Sequence, residues 1–473
     1  MTSSSERPGT ASGGGSDLFV QLGGEHGHNT IGPGEIKSPQ AKAPDWVKAM
    51  NKKYAVAAHG TRTLIAVFNA DSKITFIDER GLNLREQNNF VTIESDGGSK
   101  RKRASESWLA HPDRRQYLDP GVVFLPGEFT VEVGALNLWR GWNHAPVKTP
   151  YPLIFKFLTE VVCSGNAECF AYLWRWMALG VQQLDRPIGV ALVLRGPPGC
   201  GKGTFAEKIF GALFAPHFIH ATSLEQLTGR FSGVPHSLCV FADEAFVSWD
   251  RKAPNVLKAL ITEPRLLSER KFMDPVDEPN RLRLILASNE DHIVRLGAAD
   301  RRYCVLDVAG TYSVRGQHQA YWQALNREIE SGGLAGLLYD LLNVALDEFN
   351  VQDFPVTSAR TDQMIQSLRG VEAWVFSLLQ AGWEVINGWP EGRGIVSTDI
   401  LYAQYQAHSA LLPDSSVFDK ARWSMQFRRI VALDVHKLRT ESGRERVFDL
   451  PPLDTCRKDF ANTVLGDPDF EWE

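Results

Sequence analysis

The stretch Gly196-Pro197-Pro198-Gly199-Cys200-Gly201-Lys202-Gly203-Thr204 constrains this chain more than any other. It follows the apolar run Val190-Ala191-Leu192-Val193-Leu194 and precedes the helix-forming segment Phe205 to Phe210. Strand, glycine loop, lysine and helix is the order that a phosphate-binding loop requires. Glycine reaches backbone conformations that turn successive N–H groups inward onto phosphate oxygens. The N-terminus of the following helix adds partial positive charge. Gly196, Gly199, Gly201 and Gly203 are therefore the expected backbone cradle, and Lys202 is expected to reach the outer phosphates of ATP. Gly203 stands where a Ser or Thr usually binds Mg²⁺. Either Thr204 serves from a shifted position, or the ion relies on carboxylates and water.

Four further stretches fit the same chemistry. Leu238-Cys239-Val240-Phe241-Ala242 is an apolar strand that ends on Asp243-Glu244. Parallel strands bring their C-terminal ends to one ligand edge. There Asp243 is expected to hold Mg²⁺ and Glu244 to polarise the attacking water. Leu284-Ile285-Leu286-Ala287-Ser288 leads to Asn289, a candidate for sensing the γ-phosphate. Asp300-Arg301-Arg302-Tyr303 offers arginines to a neighbouring subunit's site; the alternative is a pair with Asp300. Lys258 to Arg283 carries Arg265, Arg270, Lys271, Arg281 and Arg283 around a proline-containing turn, which reads either as a cation-bearing hairpin or as a solvated loop.

Around this centre the fold class is α/β. Candidate strands are Val190–Leu194, His217–Ala221, Leu238–Ala242, Leu282–Ala287 and Tyr303–Val308, and most read as largely apolar runs, as in a parallel sheet covered on both faces. Residues 1–40, rich in Ser, Gly and Pro, read as a disordered tail, and His26 and His28 within it make a poor metal site. Residues 41–150 read as a small α+β domain, with a short helix capped by Asp45. In it Lys100-Arg101-Lys102-Arg103 reads as a solvated loop ahead of the alternative, a nucleic-acid contact, and Trp139 and Trp142 read as core. Residues 151–185 form a helical collar broken at Gly165-Asn166, 186–312 the P-loop core, and 313–388 a helical region. The helical region includes one helix over Thr361–Leu379. Residues 389–473 give two helices and a hairpin, a winged-helix outline in which Arg422, Arg428, Arg429, Arg439, Arg444 and Arg446 are candidate DNA contacts.

Composition sets limits. With net charge −5, no global basic excess advertises nucleic-acid binding, although a cleft or ring can concentrate charge locally. The six cysteines form no Cys-x-x-Cys pair and read as reduced thiols of a cytoplasmic protein. No apolar run approaches the ~20 residues of a membrane helix.

The ordered set of motifs resembles the superfamily 3 helicase module of phage, plasmid and viral primase–helicases, which belongs to the AAA+ ATPases. The resemblance runs from about Asn51 to the C-terminus. It takes in Trp108 to Pro112, Asn137-Leu138-Trp139, Cys163, the Ala178 region, Gly196 to Thr204, Asp243-Glu244, Leu257 to Thr262, Lys271, Ser288-Asn289 and Arg301-Arg302. Gly then Thr after the lysine is frequent among these relatives. The resemblance implies an ATP- and Mg²⁺-dependent DNA helicase in phage, plasmid or mobile-element replication. It implies a hexameric ring on single-stranded or forked DNA, with a primase or polymerase as a possible partner, in the cytoplasm of a bacterial or virus-infected cell. It also places Lys258 and Lys271, which with Arg270 of the cation-bearing segment are the candidate DNA contacts, and Arg301 or Arg302 as the trans-acting arginine. Residues 1–150 leave little room for a primase half beside the small domain. Two other readings stay open: a DNA-binding initiator that uses ATP only for assembly, and a nucleoside monophosphate kinase, since adenylate kinases share the Gly201-Lys202-Gly203-Thr204 spelling.

Overall fold

The computed structural model describes residues 43–69, 74–95, 98–128, 131–223, 226–227, 236–243, 253–268, 276–288, 300–314, 317–382, 394–411, 417–431, 433–440 and 443–472. The chain divides into two units, Met1–Gly141 and Trp142–Glu473.

In the first unit, a helix Asp45–Lys53 leads into a four-stranded sheet. Its order is Ile74–Ile77, Arg62–Phe68, Tyr54–His59, Gln116–Tyr117. Pro44 occupies the helix N-cap, so Asp45 contributes first-turn charge and does not cap. Val47, Met50, Tyr54, Ile65, Val67 and Trp108 form the core. The buried Trp108 indole donates to Asn51 Oδ1 at 2.8 Å, which removes the cost of burying its N–H. Trp139 is buried, as expected.

The run Lys100–Arg103 is a β-strand where a loop was expected. Gly98–Arg103 pairs antiparallel with Phe90–Ser95, from Phe90↔Arg103 to Ser95↔Gly98. The partner Phe90-Val91-Thr92-Ile93 has strong β propensity, and cross-strand pairing overrides the preference of isolated charges for solvent.

The second unit is built on a five-stranded sheet whose strands we number β1 (Ala191–Arg195), β2 (Phe218–Ala221), β3 (Cys239–Asp243), β4 (Arg283–Ser288) and β5 (Tyr303–Asp307). The order is β2-β3-β4-β1-β5, and all neighbours are parallel. Ala191 to Leu194 and Cys239 to Ala242 are buried throughout, because the sheet is covered on both faces.

The collar comprises Pro152–Lys156 continuing through Phe157–Val162, then Ala167–Gln182. Ser164 and Gly165 adopt positive φ at the break, and the Asn166 side chain caps the second helix by accepting from the Glu168 and Cys169 N–H groups. Trp176 Nε1 donates to Val190 O at 2.9 Å and so docks this helix on the entry to β1.

Arg283 departs from expectation. It is fully buried at the start of β4 and does not belong to an exposed cationic turn. Its guanidinium donates to Gly180 O (2.8 Å), Gln183 O and Arg281 O. The first two are carbonyls at the C-terminal end of the collar helix, whose partial negative charge compensates a buried cation. Burial pushes its pKa down to about 10.

The expected single helix over Thr361–Leu379 is two, Ser358–Ser367 and Gly370–Gln380. The chain turns between them, with Leu368 extended and Gly370 at φ 56°. From there the order is helix, strand Gly394–Ser397, helices Thr398–Ala410 and Lys420–Ile430, then strands Asp434–Thr440 and Gly443–Leu450. The short Gly394–Ser397 strand, which sequence patterning did not show, pairs with Gly443–Leu450 and completes a three-stranded wing. Trp374, Trp423, Phe427 and Phe448 pack beneath it. All six cysteines are buried and unpaired.

Candidate nucleotide-binding site

The C-terminal ends of β1, β4 and β3 are level. Leu194 pairs with Ala287, and Ala287 pairs with Asp243. Strands lie about 4.8 Å apart, so Asp243 stands about 10 Å across the sheet from Leu194, with β4 between them. The glycine loop leaves β1 just beyond this row and β4 ends beside it, which is the ligand edge of an open parallel sheet.

Backbone shape, more than side chains, makes the loop. A Cβ on Gly196 would stand 2.6 Å from Val308 O. Gly201 adopts φ 110°, and a Cβ there would lie 2.8 Å from the Phe157 ring and 2.9 Å from the Trp322 ring. The collar and the helix Gln319–Glu328 thus clamp the loop from outside. Phe205 N–H donates to Gly201 O at 3.0 Å, the first bond of a helical stretch over 202–213. The preceding N–H groups, including those of Gly203 and Thr204, belong to its open first turn.

Lys202 is buried and does not extend into solvent. Its Nζ donates to Gly196 O at 2.6 Å and to Pro197 O at 3.2 Å. The ammonium is folded inside the loop, on carbonyls that satisfy its charge. Cys200 Sγ lies 3.9 Å away; burial raises that thiol's pKa against the lowering influence of Lys202. Thr204 is half-buried on the first turn.

Asp243 is partly exposed at the end of β3. Its Oδ2 lies 3.9 Å from His220 Nε2, while His220 Nδ1 lies 3.5 Å from Glu207 Oε2. Glu207 is on the helix that follows the loop, so His220 stands between two carboxylates from different elements. Its ring also packs on Phe241, with centroids 5.0 Å apart. Sequence reasoning passed over this histidine. The available signal was a polar residue near the end of an otherwise apolar strand.

The two arginines differ. Arg302 Nε and Nη2 donate to the Asp300 carboxylate at 2.9 and 3.4 Å, and Asp300 is buried. Arg301 is exposed. At the end of β1, Arg195 grips Asp307 through two nitrogens (2.8 and 3.0 Å) and Asp362 through a third (2.7 Å). Burial opposes its charge, but the two carboxylates outweigh that and hold its pKa above the ordinary value.

Lys258 is half-buried on the helix Ala253–Thr262. The strands Arg265–Ser268 and Val276–Pro279 form an antiparallel hairpin, in which Arg265 is tied to Asp277. Glu244, Asn289, Arg270 and Lys271 lie outside the described residues. The structure therefore brings the loop, Thr204 and Asp243 to one sheet edge, places Arg301 and Arg302 on the approach to β5 and Lys258 on its helix, and leaves Glu244, Asn289, Arg270 and Lys271 unplaced.

A family model described as a family of unknown function, DUF5906, matches residues 194–302, from the end of β1 to Arg302. Over 263 residues the chain is 24% identical to the DNA primase-polymerase of Nitratiruptor phage NrS-1, covering 54% of this chain and 35% of that protein. The chain thus spans about a third of the length of this relative. In structure it is similar to the C-terminal region of NrS-1. One apo structure aligns with TM-score 0.57, 17% identity and coverage of 88% of this chain and all of that one. The A form of the same region gives TM-score 0.59 and 17% identity over 86% of this chain and 99% of that one. The chain is thus similar in fold to the C-terminal region of NrS-1 and distantly similar in sequence to a phage DNA primase-polymerase. Among the described residues no helix is long and apolar enough to cross a membrane.

Proposed function

We propose that this protein is an ATP-hydrolysing DNA helicase of phage or mobile-element replication, working as a ring, expected to be hexameric, on single-stranded or forked DNA. One observation carries the reading: the glycine loop and Asp243 stand at the same edge of a parallel sheet, level in register across β4. The distant likeness to a phage primase-polymerase agrees with it.

The residues suit a nucleoside triphosphate with Mg²⁺. Gly199 and Gly201 at φ 78° and 110° give the loop backbone a shape open to side-chain-free phosphate contact. Lys202 exchanges its two loop carbonyls for phosphate oxygens, a swap that leaves its charge satisfied throughout. Asp243 and Thr204 hold the Mg²⁺, which when bound neutralises phosphate charge. Glu244 orients and deprotonates water, and Asn289 senses the γ-phosphate. Arg301, exposed and without a carboxylate within ion-pair distance among the described residues, is the better candidate for acting on a neighbour's site. Lys258, Arg270 and Lys271 are proposed to face DNA.

The test is ATP turnover with and without single-stranded DNA, beside strand separation on a forked substrate. DNA-stimulated turnover with unwinding is expected. The exposed arginines of the helix Lys420–Ile430 and its wing favour one competing reading, a DNA-binding initiator without unwinding activity. Turnover without strand separation selects that reading, and no turnover at all removes the helicase reading.

A further inference from the structure

The four cations Lys100–Arg103 are not among the residues read as an ATP site. They form one strand of the two-stranded ribbon in the first unit, and all six residues of that strand are exposed. Alternation along the ribbon fixes its faces. Val91 is buried and Ile93 packs against the unit's core, so they face inward with their cross-strand partners Lys102 and Lys100 at the rim. Phe90 and Thr92 face outward with Arg103 and Arg101. Arg103 is paired with Glu106 at 3.3 Å. Among the described residues Lys100, Arg101 and Lys102 make no ion pair.

Protecting a ribbon edge from aggregation needs only an isolated charge or two. Here adjacent like charges repel one another within a chain whose net charge is −5. An anion with regularly spaced charges relieves that repulsion. The geometry points to the paired strands Phe90–Ser95 and Gly98–Arg103 as a duplex-DNA-binding ribbon that contacts the phosphate backbone. A two-stranded ribbon fits the roughly 12 Å width of the major groove. Single strands are bound chiefly through open aromatic faces. The one exposed ring of this ribbon, Phe90, already carries the Arg101 guanidinium 4.5 Å above its centroid, which favours the duplex. This contact does not depend on the reading of the ATP site.

The experiment uses the full chain and a fluorescein-labelled 30-base-pair duplex, with the corresponding single strand as a second arm, followed by anisotropy across a salt series. Lys100→Thr, Arg101→Thr and Lys102→Thr are combined in one variant, since threonine keeps β propensity and removes charge. Each lost phosphate contact lowers the slope of log K against log salt by about 0.9, so the duplex slope should flatten by about 2 to 3, with at least tenfold weaker binding at low salt. The paired variant Lys100→Arg with Lys102→Arg should keep the wild-type slope. Unchanged duplex affinity and slope in the threonine variant, or a loss confined to the single strand, overturns the proposal. Should the threonine variant fail to fold, lysine acetylation of the wild-type protein decides. Duplex DNA should protect Lys100 and Lys102 and leave the exposed Lys52 reactive, and equal labelling with and without duplex overturns the proposal.

Discussion

The adjacent arginines Arg301 and Arg302 make a separable pair of perturbations. Arg302 donates two guanidinium nitrogens and its own N–H, the last at 3.2 Å, to a carboxylate that is 8% exposed. Breaking a buried ion pair by deleting one partner costs about 3–5 kcal/mol. The Arg302 side chain is 31% exposed and its N–H stays in place, so solvent screening brings the expected cost of Arg302→Ala to about 2 kcal/mol. At about 2–4 °C per kcal/mol for domains of this class, the melting temperature falls by about 4–8 °C. Arg301→Ala removes an exposed side chain and should change stability by no more than about 0.5 kcal/mol. If Arg301 completes a neighbour's site, its loss slows ATP turnover by about 10³ to 10⁵, which is about 4–7 kcal/mol of transition-state stabilisation. Scanning calorimetry and phosphate release on both variants are the assays. Mixing Arg301→Ala with a Lys202→Ala protein, which keeps its arginines, should restore part of the activity, more so at higher protein concentration. Wild-type turnover in Arg301→Ala refutes the assignment. So does an Arg302→Ala protein that loses turnover while its melting temperature stays put, because that exchanges the two roles.

Lys202→Met should abolish ATP turnover, and because Lys202 is buried on two carbonyls it should also lower stability, by about 1–3 kcal/mol. Wild-type rates in a folded variant count against the loop. Gly201→Ala should weaken nucleotide binding and lower the melting temperature together, since a Cβ collides with the Phe157 and Trp322 rings at a strained φ; a labelled ATP analogue read by anisotropy checks this. Arg428→Ala with Arg429→Ala should flatten the salt slope of DNA binding by about 2 while leaving the fold intact, as both side chains are exposed on the helix Lys420–Ile430; an unchanged slope removes that helix from the DNA surface. His220→Gln should alter the Mg²⁺ concentration that supports half-maximal turnover, because His220 lies 3.9 Å from Asp243. An identical Mg²⁺ titration would separate the histidine from the site.

The five strands of the central sheet were legible in the sequence to within a residue at each end, because a strand buried on both faces must be an unbroken apolar run, as Ala191-Leu192-Val193-Leu194 is. The glycine loop was legible for a related reason: positive φ at Gly199 and Gly201 favours glycine there from the backbone conformation of the loop itself. Apart from the turn at Leu368–Gly370 and the short strand Gly394–Ser397, charged residues were the ones misread, since a charge in a sequence does not say what surrounds it. Arg283 was grouped with surface cations, yet it caps a helix that ends some hundred residues earlier in the chain. Lys100–Arg103 was taken for a loop, yet it pairs with Phe90–Ser95. Lys202 was expected to reach outward to phosphates and lies folded on carbonyls of its own loop, Arg302 but not Arg301 is tied to Asp300, and His220 gains its place between Glu207 and Asp243 from the order of β2 and β3 in the sheet. Local sequence determined the strands of the central sheet and the glycine loop, because burial on both faces and backbone conformation act over a few neighbouring residues. Tertiary structure alone decided the fate of each charge, because the energy of a charge depends on partners and solvent that the chain brings near it only when folded.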